Sequence, residues 1–266
     1  DYYKQNYSQF LPYINNNFDF QELLSEILGE LNASHTGGRY YYRSGLNLGT
    51  LGVIYDEDYE GDGLKIKEVL PDGPLQLAYP EVKAGDVVYS IEGKVIKAGE
   101  DWYSILTGKA GKKTAVTLKK GGKKEVELYL EPGYSDYALL YNRWVRQREE
   151  KVKELSNGKI GYVHVEGMNS PSFREVYSKA LGKYRNTDAL IVDTRHNGGG
   201  WLHDDLVTFL SGKVYVDYKP RGQYIGHDPY SKWTKPSCVL VCEDNYSDAC
   251  GFPYAYQALG IGKLIG

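Results

Sequence analysis

The sequence predicts a multi-domain α/β protein in which a small β-domain interrupts an α/β core. Three observations predict it. The first 31 residues carry helical apolar periodicity, residues from about 45 to 132 form short alternating strands, and residues from about 160 onward alternate helices with nearly continuous apolar strands. At 266 residues the chain is too long for one small domain and suits one large or two modest ones. The expected division is an N-terminal helical segment at 1–44, a β-domain at 45–132 and an α/β core at 133–266.

Composition narrows the function classes. Apolar residues make up 41% and charged residues 25%, globular proportions that exclude wholesale disorder. No run approaches the roughly 18 apolar residues that a membrane span needs. The formal charge of −3 argues against a nucleic-acid partner. The chain opens on Asp1 and its one methionine is Met168, as expected of a protein that has lost a leading segment. With 26 tyrosines and so little methionine, a periplasmic, extracellular or cell-envelope location is favoured, with the cytoplasm as alternative. Cys238, Cys242 and Cys250 are odd in number and closely spaced, so no disulfide framework is expected.

In the N-terminal segment, Asp19 and Glu22 have capping-box spacing. Phe20, Leu23, Leu24, Ile27, Leu28 and Leu31 then fall on one helical face, which predicts a buried stripe. The glycines of Asn32-Ala33-Ser34-His35-Thr36-Gly37-Gly38 predict a loop.

Strands are predicted at Leu51–Tyr55, Leu64–Val69 and Val87–Ile91. Two more, Ala115–Lys119 and Glu125–Leu130, flank Gly121-Gly122, which predicts a two-residue hairpin turn. Seven lysines between Lys109 and Lys124 fit a charged hairpin edge. Asp56, Asp58 and Glu60 hint at a calcium loop, but Lys67 occupies the position where a glutamate is required. The turn Leu70-Pro71-Asp72-Gly73-Pro74, the opening Leu51-Gly52-Val53 and the stretch from Ala84 through Gly93 together resemble a PDZ domain of the protease-associated kind. That resemblance implies peptide binding along the strand edge at Leu51, Gly52 and Val53.

A linking helix is predicted over 134–155. Beyond it the expected order is strand Ile160–Val165, helix Pro171–Tyr184, strand Ala189–Asp193, glycine turn Asn197–Gly200 and helix Leu202–Leu210. Strand Cys238–Cys242 and helix Phe252–Leu259 follow, and the last residues run into a further strand. Apolar strands between helices indicate a parallel sheet covered on both faces.

Three segments can carry chemistry. Ser247-Asp248 sits where a strand gives way to a helix, so free backbone N–H groups and the helix dipole can serve an oxyanion beside a serine nucleophile. A plain N-cap role for Ser247 explains the same residues. The glycines after Asp193-Thr194-Arg195-His196 can present N–H groups to a ligand, though neither nucleotide-binding glycine pattern is present. Ser34-His35 supplies a histidine, the side chain whose unperturbed pKa suits a general base. His164 lies in strand period, while His196, His203 and His227 lack metal-ligand spacing, so no metal is expected. Cys250 reads as a packed cysteine.

Taken together, L-G-E-L-N-A-S-H before a PDZ-like domain, I-V-D-T-R-H-N-G-G-G, and N-Y-S-D followed by F-P-Y-A-Y-Q-A-L-G-I-G-K-L-I-G resemble the tricorn core protease branch of the S41 serine peptidases. The resemblance implies a ClpP/crotonase-like α/β protease core that hydrolyses peptides or unfolded polypeptides without a cofactor, and it is compatible with a homo-oligomer. It implies Ser247 as nucleophile, His35 as general base and Ser34 as a tetrad member, with oxyanion donors at Asp248 and Gly199. The tetrad glutamate would lie beyond Gly266, so these residues alone would be inactive. Ala249 and Cys250 depart from the family's usual Ser-Asp-Gly, and a PDZ-containing peptide-binding protein with impaired catalysis is the alternative. The Asp248 carboxylate is expected to favour a basic P1 residue or, failing that, to cap the helix.

Overall fold

Asn16 starts the longest N-terminal helix, because its side-chain oxygen accepts hydrogen bonds from the N–H groups of Phe18 and Asp19. The computed structural model describes residues 2–42, 47–121 and 124–266. By internal contacts the chain divides into two units, one comprising residues 1–41 with 147–266 and the other residues 42–146. The boundary expected between 44 and 45 falls outside the described residues.

In the first unit, α1 (Tyr2–Ser8) and a short 3-10 turn (Leu11–Tyr13) precede α2 (Asn17–Gly29). The cap is therefore Asn16 rather than Asp19. Asp19 occupies the third helical position and accepts from Asn15 N and Asn16 Nδ2. The expected buried stripe is only partly realised: Leu23 is buried, whereas Phe20 and Leu31 are exposed.

The second unit is a six-stranded antiparallel sheet of order β1-β2-β3-β5-β6 with β4 added to β3. Its strands are β1 (Val53–Tyr55), β2 (Leu64–Val69), β3 (Val87–Ile91), β4 (Lys94–Val95), β5 (Thr114–Lys120) and β6 (Lys124–Leu130). Two short helices, α3 (Pro74–Ala78) and α4 (Tyr103–Leu106), accompany them. The β5–β6 ladder closes with Lys120 opposite Lys124, so three residues separate the strands rather than two. Gly122 of the expected turn lies outside the described residues. Ile66, Val88, Ile91, Val116 and Leu118 fill the core, Val116 and Leu118 by strand alternation and Val88 and Ile91 across a register shift in β3. Asp56 pairs with Lys65 at 2.9 Å instead of joining an acidic cluster.

The division between units falls within α5 (Tyr137–Leu155). In the first unit β7 (Ile160–His164), β8 (Ala189–Asp193), β11 (Ser237–Leu240) and β12 (Lys263–Ile265) form an all-parallel sheet of order β12-β11-β8-β7. The other elements are α6 (Ser170–Ser178) with a π-turn at Lys179–Lys183, α7 (His203–Leu210) and α8 (Asp248–Ala258). A hairpin of β9 (Val216–Tyr218) and β10 (Gly226–Asp228), absent from the sequence expectation, also belongs here. Leu206, Phe209, Phe252 and Tyr256 pack with Val163, Val192 and Val239 of the sheet. Helix α8 begins at Asp248, four residues ahead of its predicted start.

At the carboxyl end of β8 the fully buried Asp193 carboxylate accepts from Arg195 Nε at 2.9 Å, Arg195 Nη2 at 2.6 Å, the Arg195 backbone N–H at 3.0 Å and the Tyr162 hydroxyl at 2.8 Å. Burial pushes its pKa up, but these donors outweigh burial and leave it below the ordinary carboxylate value. Its stabilising contribution is complete above the unfolded pKa near 4 and is lost as pH falls through the folded value. Tyr162→Phe should therefore cost about 1.5–3 kcal/mol at pH 7. The cost should shrink at pH 3, as urea unfolding at the two pH values would show.

Candidate active site

Ser247 stands between β11 and α8 with φ 55° and ψ −122°, a region that side chains other than glycine rarely adopt. This sharp reversal sets its hydroxyl at the head of the helix, as in strand-to-helix nucleophile turns. The Ser247 Oγ lies 2.9 Å from His35 Nε2, across 212 residues of sequence. His35, also at positive φ (64°), presents its ring edgewise to Tyr246 with centroids 5.0 Å apart.

The His35 loop is attached to α2. Gly38 N donates to Ser25 Oγ at 3.1 Å, Ser25 Oγ donates to the Gly38 carbonyl at 3.2 Å, and Tyr40 N donates to Gln21 Oε1 at 2.6 Å. Phe18 and Tyr40 add an edge-to-face contact at 5.2 Å. Among the described residues Ser34 makes no hydrogen bond to His35, so the expected third member is not engaged.

The glycine turn approaches the serine closely. A Cβ on Gly199, whose φ is 99°, would stand 2.7 Å from Tyr246 O, 2.8 Å from Ser247 Cβ and 3.2 Å from Asp248 N. Buried Asn197 organises this junction. Its Nδ2 donates to Val165 O at 2.7 Å, its Oδ1 accepts from Gly199 N at 2.8 Å, and its carbonyl accepts from Tyr246 N at 3.0 Å. The two expected oxyanion donors therefore differ. Asp248 N–H heads α8 without an intrahelical acceptor, whereas Gly199 N–H is held by Asn197.

The carboxylate of Asp248 is committed as well. It accepts from Leu202 N at 2.6 Å, His203 N at 3.1 Å and His203 Nδ1 at 2.5 Å, with its side chain only 9% exposed. It thus satisfies the start of α7, where the N-cap Leu202 offers no side-chain acceptor.

In the second unit Leu51, Gly52 and Val53 are buried. Leu51 O and Gly52 O accept from Leu75 N and Leu70 N, so these residues are turned inward rather than offered along an open edge. A neighbouring 320 Å³ cleft is lined by Ile54, Tyr55, Trp102 and Tyr103, among others. Cys250, expected to be packed, is exposed, and all three cysteines are free. No helix of the described residues is long and apolar enough to cross a membrane. Sequence reasoning did not single out Asn197 or His203. The polar residue before three glycines and the histidine at the start of a helix were their only signals.

Residues 159–266 match the model of peptidase family S41, and residues 49–132 match that of the tricorn protease PDZ domain. Together these matches support a tricorn-like peptidase of family S41 with a PDZ domain. It is 27% identical over 258 residues to the tricorn protease of Thermoplasma volcanium, covering 94% of this chain and 25% of that protein. It is 30% identical over 262 residues to tricorn protease homolog 1 of Streptomyces coelicolor, covering 93% of this chain and 24% of the relative. A crystal structure of the tricorn protease superposes with a TM-score of 0.78 at 25% identity, over 98% of this chain and 26% of that one. The chain thus spans about a quarter of the length of the curated relatives it matches.

The close approach of Gly199 is testable. Gly199→Ala should destabilise by about 1–3 kcal/mol through positive φ and overlap with Tyr246 and Ser247. Gly198→Ala, with open space where its Cβ would lie, should stay within about 0.5 kcal/mol. Thermal or denaturant unfolding of the two variants checks the contrast.

Proposed function

We propose that the chain supplies the hydrolytic centre of a serine peptidase that acts on peptides or unfolded polypeptides. The observation that carries this reading is the 2.9 Å Ser247 Oγ–His35 Nε2 pair at the head of α8. Ser247 attacks the scissile carbonyl and His35 takes its proton, then returns it to the leaving amine. The Asp248 N–H, supported by the helix dipole, receives the developing oxyanion. Gly199 N–H joins it when a substrate displaces the Asn197 acceptor. Ser34 completes the set if closure brings its hydroxyl to the His35 ring.

The tricorn-type PDZ domain supports a peptide substrate, with β1 as the edge strand that pairs with its end. Ile54 and Tyr55, beside the cleft, are better placed for this than the buried Leu51-Gly52-Val53. The family matches favour catalysis over a PDZ-containing binding protein that has lost it. Assembly into a homo-oligomer, and a periplasmic, extracellular or cell-envelope location with the cytoplasm as the alternative, belong to the same proposal.

Ser247→Ala and His35→Ala, each made in the full-length protein, should lower kcat on a fluorogenic peptide by about 10³-fold or more. The double variant should be no worse than either single one. Unchanged turnover in both single variants would remove the assignment.

In this reading Asp248 acts on specificity only indirectly, because its carboxylate already caps α7. Asp248→Asn should leave the ratio of kcat/KM for P1 Arg and P1 Leu peptides unchanged while lowering the unfolding midpoint. A collapse of an Arg preference would instead place the carboxylate against the substrate.

A further inference from the structure

The parallel register of β8 and β11 sets Asp193 opposite Leu240, so the turns that follow these strands leave the same edge of the sheet. Such an edge, outside the carboxyl ends of parallel strands, is where α/β proteins form binding sites. Three residues beyond Asp193 stands His196, and two beyond Leu240 stands Cys242, with Asp244 close behind. His196 Nδ1 lies 2.8 Å from Asp244 Oδ2 and 3.8 Å from Cys242 Sγ, and one ligand atom from each of the three residues falls within 4.8 Å of the other two.

We infer that His196, Cys242 and Asp244 form a binding site for one divalent transition-metal ion of the zinc type, with a fourth position left to solvent. The donor set is a thiol, an imidazole and a carboxylate, which suits zinc or cobalt rather than magnesium or calcium. With metal–ligand bonds of about 2.0–2.3 Å, a tetrahedral ion holds its ligand atoms about 3.3–3.7 Å apart. The observed separations bracket that spacing, and the His196 and Asp244 side chains are 60% and 64% exposed, so small side-chain rotations with room in solvent complete the site.

The same atoms argue against a cysteine–histidine–aspartate relay. A relay needs thiol and carboxylate on opposite ring nitrogens. Here both converge on Nδ1, as ligands around a shared ion do.

The surroundings favour a metal-bound thiolate. The His196 backbone N–H donates to Cys242 Sγ at 3.2 Å. The Cys242 thiol donates to Asn245 Oδ1 at 3.4 Å. Binding forms a metal–sulfur bond, and the thiol proton leaves to solvent. Asn245 is itself fixed through Nδ2 to Thr194 Oγ1 at 3.1 Å and Ala249 O at 3.2 Å. An ion here ties together the turns that also bring Gly199 against Ser247. No sequence spacing reveals the set, because 46 and 48 residues separate His196 from its two companions.

Cobalt(II) titration of the 266-residue chain, with a phosphine reductant in place of thiols, tests the site through the thiolate-to-cobalt charge-transfer band. The band should saturate at one equivalent and be bleached by one equivalent of zinc. Cys242→Ser should abolish it, and Cys238→Ser and Cys250→Ser should leave it. His196→Asn, a residue that tolerates the left-handed backbone, and Asp244→Asn, at an exposed position, should each weaken binding by at least about tenfold. The site is refuted by no band, by saturation only beyond one equivalent, by a band that survives Cys242→Ser, or by unchanged affinity in both His196→Asn and Asp244→Asn.

Discussion

The parallel pairing of β8 with β11 fixes where the turns that carry Gly199 and Ser247 begin. Because Asp193 lies opposite Leu240, the chain emerging from β8 and the chain emerging from β11 travel side by side for several residues. Tyr246 N donates to Asn197 O at 3.0 Å and Thr194 N donates to Leu240 O at 2.9 Å, so the two turns are joined by main-chain bonds. Ser247 can take an unfavourable backbone conformation only because this junction over-determines it. Its neighbour Ala249, fully buried, anchors the first turn of α8 in the core.

Beneath the turns, a charged group sits where burial should be costly. Asp193 has no exposed surface, yet four donors from Arg195 and Tyr162 meet its two oxygens. Bending Arg195 back on Asp193 shapes the start of the glycine turn, and His164 Nε2 meets the Arg195 carbonyl at 3.1 Å. Burial pushes the His164 pKa down, so its ring is a neutral structural element beside this pair. The polar network thus sets the direction in which His196 and Asn197 leave the sheet.

How much of this is legible in the sequence depends on whether the signal is local. Strands β2, β3 and β8 match their predicted limits because alternation, or an apolar run, ends on clear turn residues. The start of α8 is missed because Gly251 and Pro253 suggest a later beginning, while the reversal at Ser247 permits an earlier one. Hairpin β9–β10 has two three-residue strands, exposed in β9 and half-buried in β10, and Arg221 at φ 53° in its turn, so no hydrophobic period marks it. The pairing of His35 with Ser247 was accessible only through family resemblance, since nothing local links positions 212 apart. The position of the Asp248 carboxylate was less accessible still. A carboxylate at a helix start looks like a cap for that helix, and only the packing of α7 beside α8 reveals that it caps the neighbour.

The two halves of the Ser247–His35 pair are held with unequal strength, and this bears on how the centre works. Ser247 rests on the parallel sheet and on α8, which buries Ala249, Phe252, Pro253 and Tyr256. His35 rests on a loop fastened to α2, a helix that buries only Leu23. Hydrogen bonds from Gly38 and Tyr40 return the loop to its own helix, so loop and helix are fastened to each other. Local openings draw on elements with few buried apolar contacts, and α2 is such an element while β8 and β11 are not. His35 is therefore the adjustable partner of the pair and Ser247 the fixed one. The exposed His35 ring has Tyr246 beside it and no carboxylate partner among the described residues, so a group that orients its second nitrogen would act on the part of the centre with the most freedom left to lose.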